Sequence, residues 1–237
     1  MMILSNGQMY NNYGFVIQAR MGSKRFPGKS LKKINKIPIL GWIINSLKKD
    51  ILFKKKLIIV ATSSLKKDDI IANYSKSKRV IVFRGSEKNV LKRYYECATK
   101  FNLKNVVRLT ADNPFVNIYY LKQMLNNHSK NKYDYTSTKE NLPAGIGAEV
   151  ISFDALKKSY QNSKSMNEME HVVDYVLNNK KKFKTKFLKF NIKNDILKKL
   201  RFTIDTKEDL IYCKNYIKKF NQNNIKNFIQ NVNNFNI

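Results

Sequence analysis

The stretch Gly14-Phe-Val-Ile-Gln-Ala-Arg20-Met-Gly-Ser-Lys24-Arg25-Phe-Pro27-Gly28-Lys29-Ser30 decides how this chain is read. A short apolar run, Phe15 to Ala19, breaks into a loop holding four cations (Arg20, Lys24, Arg25, Lys29) and two glycines, Gly22 and Gly28. Apolar positions resume at Leu31, Ile34, Ile37 and Ile39 and lead into a helical segment. A strand that opens into a basic, glycine-bearing loop is a way of holding a polyphosphate. Glycine lets the backbone approach closely, successive N–H groups form an anion-binding nest, and the cations add charge-assisted hydrogen bonds to phosphate oxygens. The loop therefore reads as a nucleoside triphosphate site. Its end, Gly28-Lys29-Ser30, imitates a Walker A loop, but that motif needs four residues between its glycines. Here five intervene, and Pro27 removes one N–H from the cradle. A solvated basic loop is the other reading of these residues alone.

Outward from this stretch, apolar runs alternate with amphipathic ones. The strand candidates are Phe15–Ala19, Leu57–Thr62, Val80–Phe83, Asn105–Leu109, Tyr133–Ser137, Glu149–Phe153 and Arg201–Ile204. Helical patterns fall at Ile39–Lys48, Asp68–Tyr74, Val90–Phe101, Ile118–Asn127, Asp154–Tyr160, Asn167–Asn178 and Lys207–Phe220, with Asp154 and Thr206 as candidate caps. Strand–helix alternation with buried β-branched runs predicts an α/β fold, a mainly parallel sheet covered by helices on both faces. The 237 residues suit a single domain able to bury a substantial core. Residues 1–13 read as a loose N-terminal tail without the features of a signal peptide. The asparagine-rich residues 221–237 read as a short helix or frayed tail.

In open α/β sheets, ligands collect at the carboxyl ends of strands near the reversal in strand order. Two carboxylates lie at such ends: Asp112, in Thr110-Ala-Asp112-Asn113-Pro114, and Asp205, after Arg201–Ile204. Far apart in sequence, they can converge on one divalent ion bridging phosphate oxygens, since magnesium prefers one or two carboxylates plus substrate phosphates. Each alone also suits an ordinary cap or turn. A third strand end, Arg84-Gly85-Ser86, can admit a ribose or base, or form a plain βα turn with Ser86 as cap.

Composition excludes several classes. A hydrophobic fraction of 43% with 12% aromatics argues against disorder. No apolar run approaches the ~18 residues of a membrane span. Cys97 and Cys213 stand alone, so neither a zinc site nor a disulfide framework is indicated, and a reducing cytoplasm is the expected setting. The net charge of +29 resembles a nucleic-acid footprint. Yet the lysines are spread along the whole chain beside abundant Asn and Ile, and there is no compact basic arm with stacking aromatics. Nucleic acid is therefore not the expected partner, and the charge instead steers anionic substrates.

Taken in order, these segments resemble the cytidylyltransferases that make CMP-activated acidic sugars. The resemblance is to the spore-coat-polysaccharide branch related to CMP-Kdo and CMP-acylneuraminate synthetases. The matching pieces are Gln18 to Lys29, Phe83 to Ser86 leading to Val90–Tyr95, Val107 to Pro114, Gly145 to Val150, Glu170-His171-Val172, and Arg201 to Leu210. The likeness implies a Rossmann-like nucleotide-diphospho-sugar transferase fold over residues 14–220, with a small dimerisation lobe within about 130–195, and a homodimer. It implies CTP as donor, a small acidic acceptor and Mg²⁺ as cofactor; a phosphonate or other small phosphorylated acceptor is the alternative. By carry-over, Gln18, Ala19, Arg20, Met21, Gly22, Ser23, Arg25 and Lys29 bind the triphosphate, with Arg84, Gly85, Ser86 and Thr110 near the nucleoside. Arg20, Lys29, Asp112 and Asp205 would be catalytic, and Asp112 and Asp205 would hold the metal. Glu149, Glu170 and His171 fall on the sugar side. One departure stands out: Gly147 occupies a position, two before Glu149, where the branch usually has an aspartate.

Overall fold

The computed structural model describes residues 13–190 and 199–219. Apart from Tyr13, the expected N-terminal tail lies outside the described residues, as does the whole of the expected C-terminal tail at 221–237.

A seven-stranded sheet forms the centre, with strands β1 (Tyr13–Gln18), β4 (Leu57–Ser63), β5 (Ile81–Gly85), β6 (Asn105–Thr110), β7 (Tyr135–Ser137), β8 (Glu149–Ser152) and β9 (Thr185–Phe187). Their spatial order is β5-β4-β1-β6-β8-β7-β9. All pairings are parallel except those of β8, which runs against both β6 and β7. The α/β architecture and the mainly parallel sheet are as the sequence predicts. Strands β2 (Lys33–Ile34) and β3 (Ile37–Pro38) form a separate small hairpin. The helices are α1 (Ile39–Lys49), α2 (Asp69–Ser77), α3 (Val90–Lys100), α4 (Ile118–Asn131), α5 (Phe153–Asn162), α6 (Met166–Glu170), α7 (Asp174–Asn178) and α8 (Lys207–Lys219).

The central strands are mostly apolar because both faces are covered, with Arg108 in β6 as the charged exception. In β1, Phe15 and Ile17 enter one core with Leu40, Ile43, Leu47 of α1 and Leu121, Met124 of α4. Val16 enters the opposite core with Leu91, Tyr94 and Ala98 of α3 and Leu156 of α5. Burial of each such side chain stabilises the fold by roughly 1.5–3 kcal/mol. A third cluster, including Ile34, Trp42, Phe115, Phe202, Ile204 and Cys213, packs α8 and the hairpin against the ends of α1 and α4.

Three expectations are corrected. Arg201–Ile204 is not a strand: Arg201 makes an isolated bridge with Ala144. The Phe202 N–H donates to the Ala144 carbonyl at 2.7 Å, whereas the Ile204 N–H reaches the Asp112 carbonyl at 2.9 Å. The segment thus ties two loops instead of extending a ladder. Asn167–Asn178 is two short helices, interrupted where Val172 and Val173 turn into the core. The cap of α5 is Ser152, whose hydroxyl accepts from the Ala155 N–H, with Asp154 in the first turn.

Strand order fixes where a ligand can sit. From β1 the chain steps to β4 and β5 on one side, then crosses back to β6 on the other. The reversal falls between β1 and β6, and their carboxyl ends, Gln18 and Thr110, are register partners.

Candidate active site

The basic loop leaves β1 at this reversal. It closes on itself because the Met21 carbonyl accepts from both the Ser23 and Gly28 N–H groups, each at 3.0 Å. Gly28 adopts a left-handed φ of +69° and starts a 3-10 turn, Lys29–Leu31, that aims Lys29 inward. A residue the sequence did not single out anchors the loop. Asp68, fully buried, accepts from the Met21 N–H at 2.7 Å and from the Ser63 N–H at 3.3 Å, and takes the Ser63 hydroxyl as a further donor.

Behind the loop, Asp112, just past β6, meets Asp205, in the turn that leads into α8. The Lys29 Nζ donates to Asp112 Oδ2 at 2.8 Å and to Asp205 Oδ1 at 2.9 Å. Asp205 also pairs with Arg25 at 3.0 Å and Arg201 at 2.9 Å. Its backbone N–H and that of Thr206 donate to Asp209 Oδ2, which fixes the turn into α8. Burial works against the Asp112 charge, but the Lys29 ammonium and its hydrogen bond prevail and hold that carboxyl below its usual range.

A cavity of about 710 Å³ opens over this cluster. Gln18, Ala19, Arg20, Gly22, Ser23, Arg25 and Lys29 form its loop side, and Thr110, Asp112 and Asp205 its floor. Glu170 and His171 of the α6 end complete the wall. Arg20 donates to Glu170 at 2.9 Å, and that hydrogen bond draws the Glu170 carboxyl below its ordinary range. These predicted site residues therefore share one space.

Others do not. The Met21 side chain packs against the core. Arg84 turns away to the Ser63 and Leu65 carbonyls and to Asp69. Gly85 and Ser86 do not border the cavity; Asn89, not Ser86, caps α3, and the Ser86 hydroxyl accepts from the Asn89 N–H at 3.0 Å. Glu149 is 4% exposed and lies beneath the wall, bonded to Arg108, Lys139 and Tyr135. Glu87, Lys88, Met166 and Arg108 border the cavity although sequence reasoning gave them no role. Arg108 had no distinguishing signal, being a lone charge inside an apolar strand.

The arrangement offers anion-binding cations at one side, a carboxylate pair around a single cation position in the middle, and room beyond for a second ligand. That is equipment for phosphoryl or nucleotidyl chemistry. Comparison with known proteins agrees. A family model described as cytidylyltransferase matches residues 15–233. The uncharacterized protein MJ1063 of Methanocaldococcus jannaschii is 41% identical over 198 residues, covering 82% of this chain and 78% of that protein. The spore coat polysaccharide biosynthesis protein SpsF of Bacillus subtilis is 33% identical over 210 residues, 84% of this chain and 83% of its own length. Among solved structures, a cytidylyltransferase from Leptospira borgpetersenii superposes with a TM-score of 0.81 at 30% identity, covering 89% of this chain and 88% of that one. With the match spanning the basic loop, both aspartates and the sheet that brings them together, the chain belongs to the cytidylyltransferase family and is a nucleotidyltransferase.

Proposed function

We propose that the protein transfers CMP from CTP to an acidic sugar of the ulosonic or nonulosonic type, releasing pyrophosphate, in surface polysaccharide biosynthesis. The observation that carries this reading is the Lys29 ammonium held between Asp112 and Asp205 beneath the basic loop. One cation position framed by two carboxylates is the arrangement a metal-assisted nucleotidyl transfer needs.

Mg²⁺ fits this donor set. Asp112 and Asp205 already share one cation, and magnesium takes one or two carboxylates with substrate phosphates completing its shell. Among the described residues no group of three or more His, Cys, Asp or Glu side chains forms an all-protein cage. When bound, the ion supplies Lewis-acid polarisation and a template for the phosphates. Asp112 and Asp205 would hold it, leaving Lys29 to pair with triphosphate oxygens. The acceptor hydroxyl attacks the α-phosphorus in line; its O–P bond forms as the bond to the bridging β-phosphate oxygen breaks, pyrophosphate leaves with the electron pair, and the hydroxyl proton is released to solvent. Arg20, Arg25 and Lys29 offset the charge that grows on the leaving group. The wall formed by Glu170 and His171 faces the acceptor.

Among the described residues no helix is long and apolar enough to cross a membrane. The reading includes a cytoplasmic homodimer, and sedimentation equilibrium checks the oligomer. The decisive assay is pyrophosphate release with Mg²⁺, each of the four NTPs and a panel of sugar acids. Release with CTP alone, dependent on one acid, is the expected outcome. Release of orthophosphate, or CTP failing to raise the melting temperature, overturns it.

A further inference from the structure

Along β6 the side chains of Arg108 and Thr110 share one face, about 7 Å apart, and both border the cavity. Across the antiparallel pairing Arg108 stands opposite Glu149 and donates to its Oε2 at 2.5 Å. Lys139 donates to the same oxygen at 2.7 Å, and the Tyr135 hydroxyl to Oε1 at 2.7 Å. Two cations thus surround one carboxylate, and the tyrosine stays neutral because burial and Glu149 both raise its pKa. Glu149 is buried, the Arg108 side chain is 11% exposed, and its Nε–H has no hydrogen-bond partner.

Gly147 sharpens this imbalance. A Cβ placed there would sit 2.9 Å from the Lys139 Cα and 3.1 Å from its N and Cγ. Lys139 has closed over the glycine, so no side-chain carboxylate at position 147 can balance the second cation. Lys139 keeps its side chain 36% exposed and shares the Glu149 oxygen with the more deeply buried Arg108, so the cluster carries one more positive than negative charge beside the cavity that Arg108 borders. The charge missing from the protein is the charge a ligand brings.

We infer that Arg108 recognises an anionic group on the acceptor, a carboxylate within one sugar ring of the attacking hydroxyl, and that Glu149, Lys139 and Tyr135 are positioning residues that aim it. This rests on the acidic-acceptor reading above. Glu149 thereby acts on the acceptor through Arg108 and not by touching it. Arg20 is engaged by Glu170, Arg25 by Asp205 and Lys29 by the two aspartates, whereas Arg108 borders the cavity from a strand of the sheet, beside β8.

The test measures pyrophosphate release with CTP and Mg²⁺ for the unsubstituted protein, Arg108→Met, and Arg108→Met with Glu149→Gln. The double variant removes opposite buried charges together, which such sites tolerate better than a single loss. The probes are N-acetylneuraminate, 3-deoxy-manno-octulosonate and the carboxamide of each. The unsubstituted enzyme should prefer an acid over its amide. Both variants should lose that preference, with KM for the acid rising about 30-fold or more and KM for CTP unchanged. A CTP-induced rise in melting temperature confirms that each variant is folded. Survival of the acid preference in a folded variant, or equal use of acid and amide by the unsubstituted enzyme, overturns the inference. Silence with every probe while CTP still stabilises the protein overturns the acceptor assignment and leaves the donor half standing. Silence without CTP stabilisation overturns the functional reading itself.

Discussion

Replacing Glu149 by Gln should destabilise the protein by about 3 kcal/mol at neutral pH. Burial alone would raise this carboxyl, but the charges of Lys139 and Arg108, with the hydrogen bonds from Lys139 and Tyr135, pull it from an ordinary 4.5 down to about 2. That difference corresponds to about 3 kcal/mol of preference for the ionised form in the folded state. The cost of breaking a buried pair by removing one partner, roughly 3–5 kcal/mol, gives the same scale. Because the folded-state value is depressed, the stabilisation is complete above the unfolded value near 4.5 and is lost as pH falls toward 2, with about half remaining near pH 3. Urea unfolding of both proteins at several pH values reads this directly. Their stability difference should be constant from pH 7 to 5 and shrink below 4.5, since glutamine mimics the protonated acid. A difference under about 1 kcal/mol at pH 7, or one that persists undiminished to pH 3, would refute the ion network as the source.

Other outcomes follow from the same geometry. Asp112→Asn and Asp205→Asn should each lower turnover on the order of 10³-fold while leaving the melting temperature within a few degrees; normal turnover in either removes it from the metal site. Lys29→Ala should slow turnover and weaken CTP binding, each by about 10–100-fold, as expected for losing charge-assisted contacts; steady-state kinetics with CTP titration checks both. Asp68→Ala strands the Met21 and Ser63 N–H groups and should cost about 2–4 kcal/mol by urea unfolding while raising KM for CTP, although Asp68 does not border the cavity. An unchanged KM would mean the loop keeps its shape without that anchor.

The legible parts of the fold were those whose burial shows in a single run. Strands β1 and β4 are covered on both faces, so their sequences run apolar through the middle, as β6 does apart from Arg108. β9 carries the exposed Lys186 between Thr185 and Phe187, too short and polar a signal to stand out. Arg201–Ile204 alternates like a strand, but its N–H groups serve two separate loops. At the site, the basic loop and Asp112 were readable because strand ends at a reversal of order are where ligands sit, whereas Asp205 reaches them from a loop whose sequence reads as a strand. Asp68 was not: Lys66-Lys67-Asp68-Asp69 has nothing to distinguish the buried carboxylate from the half-buried one beside it. The role of Arg108 depends on β8 running antiparallel beside β6, a pairing that no local pattern announces.

The hydrogen bond from the Ile204 N–H to the Asp112 carbonyl has an evolutionary consequence. It joins the backbones that carry the two central carboxylates, so their spacing does not depend on the chain between them. Residues 113–204, which include α6, β8 and the Gly147–Lys139 packing, form an excursion that leaves and returns to a fixed clasp. Insertions, deletions or remodelling within that excursion can therefore leave the spacing of Asp112 and Asp205 in place. The two carboxylates are thus stitched together by main-chain atoms, which side-chain substitution leaves in place.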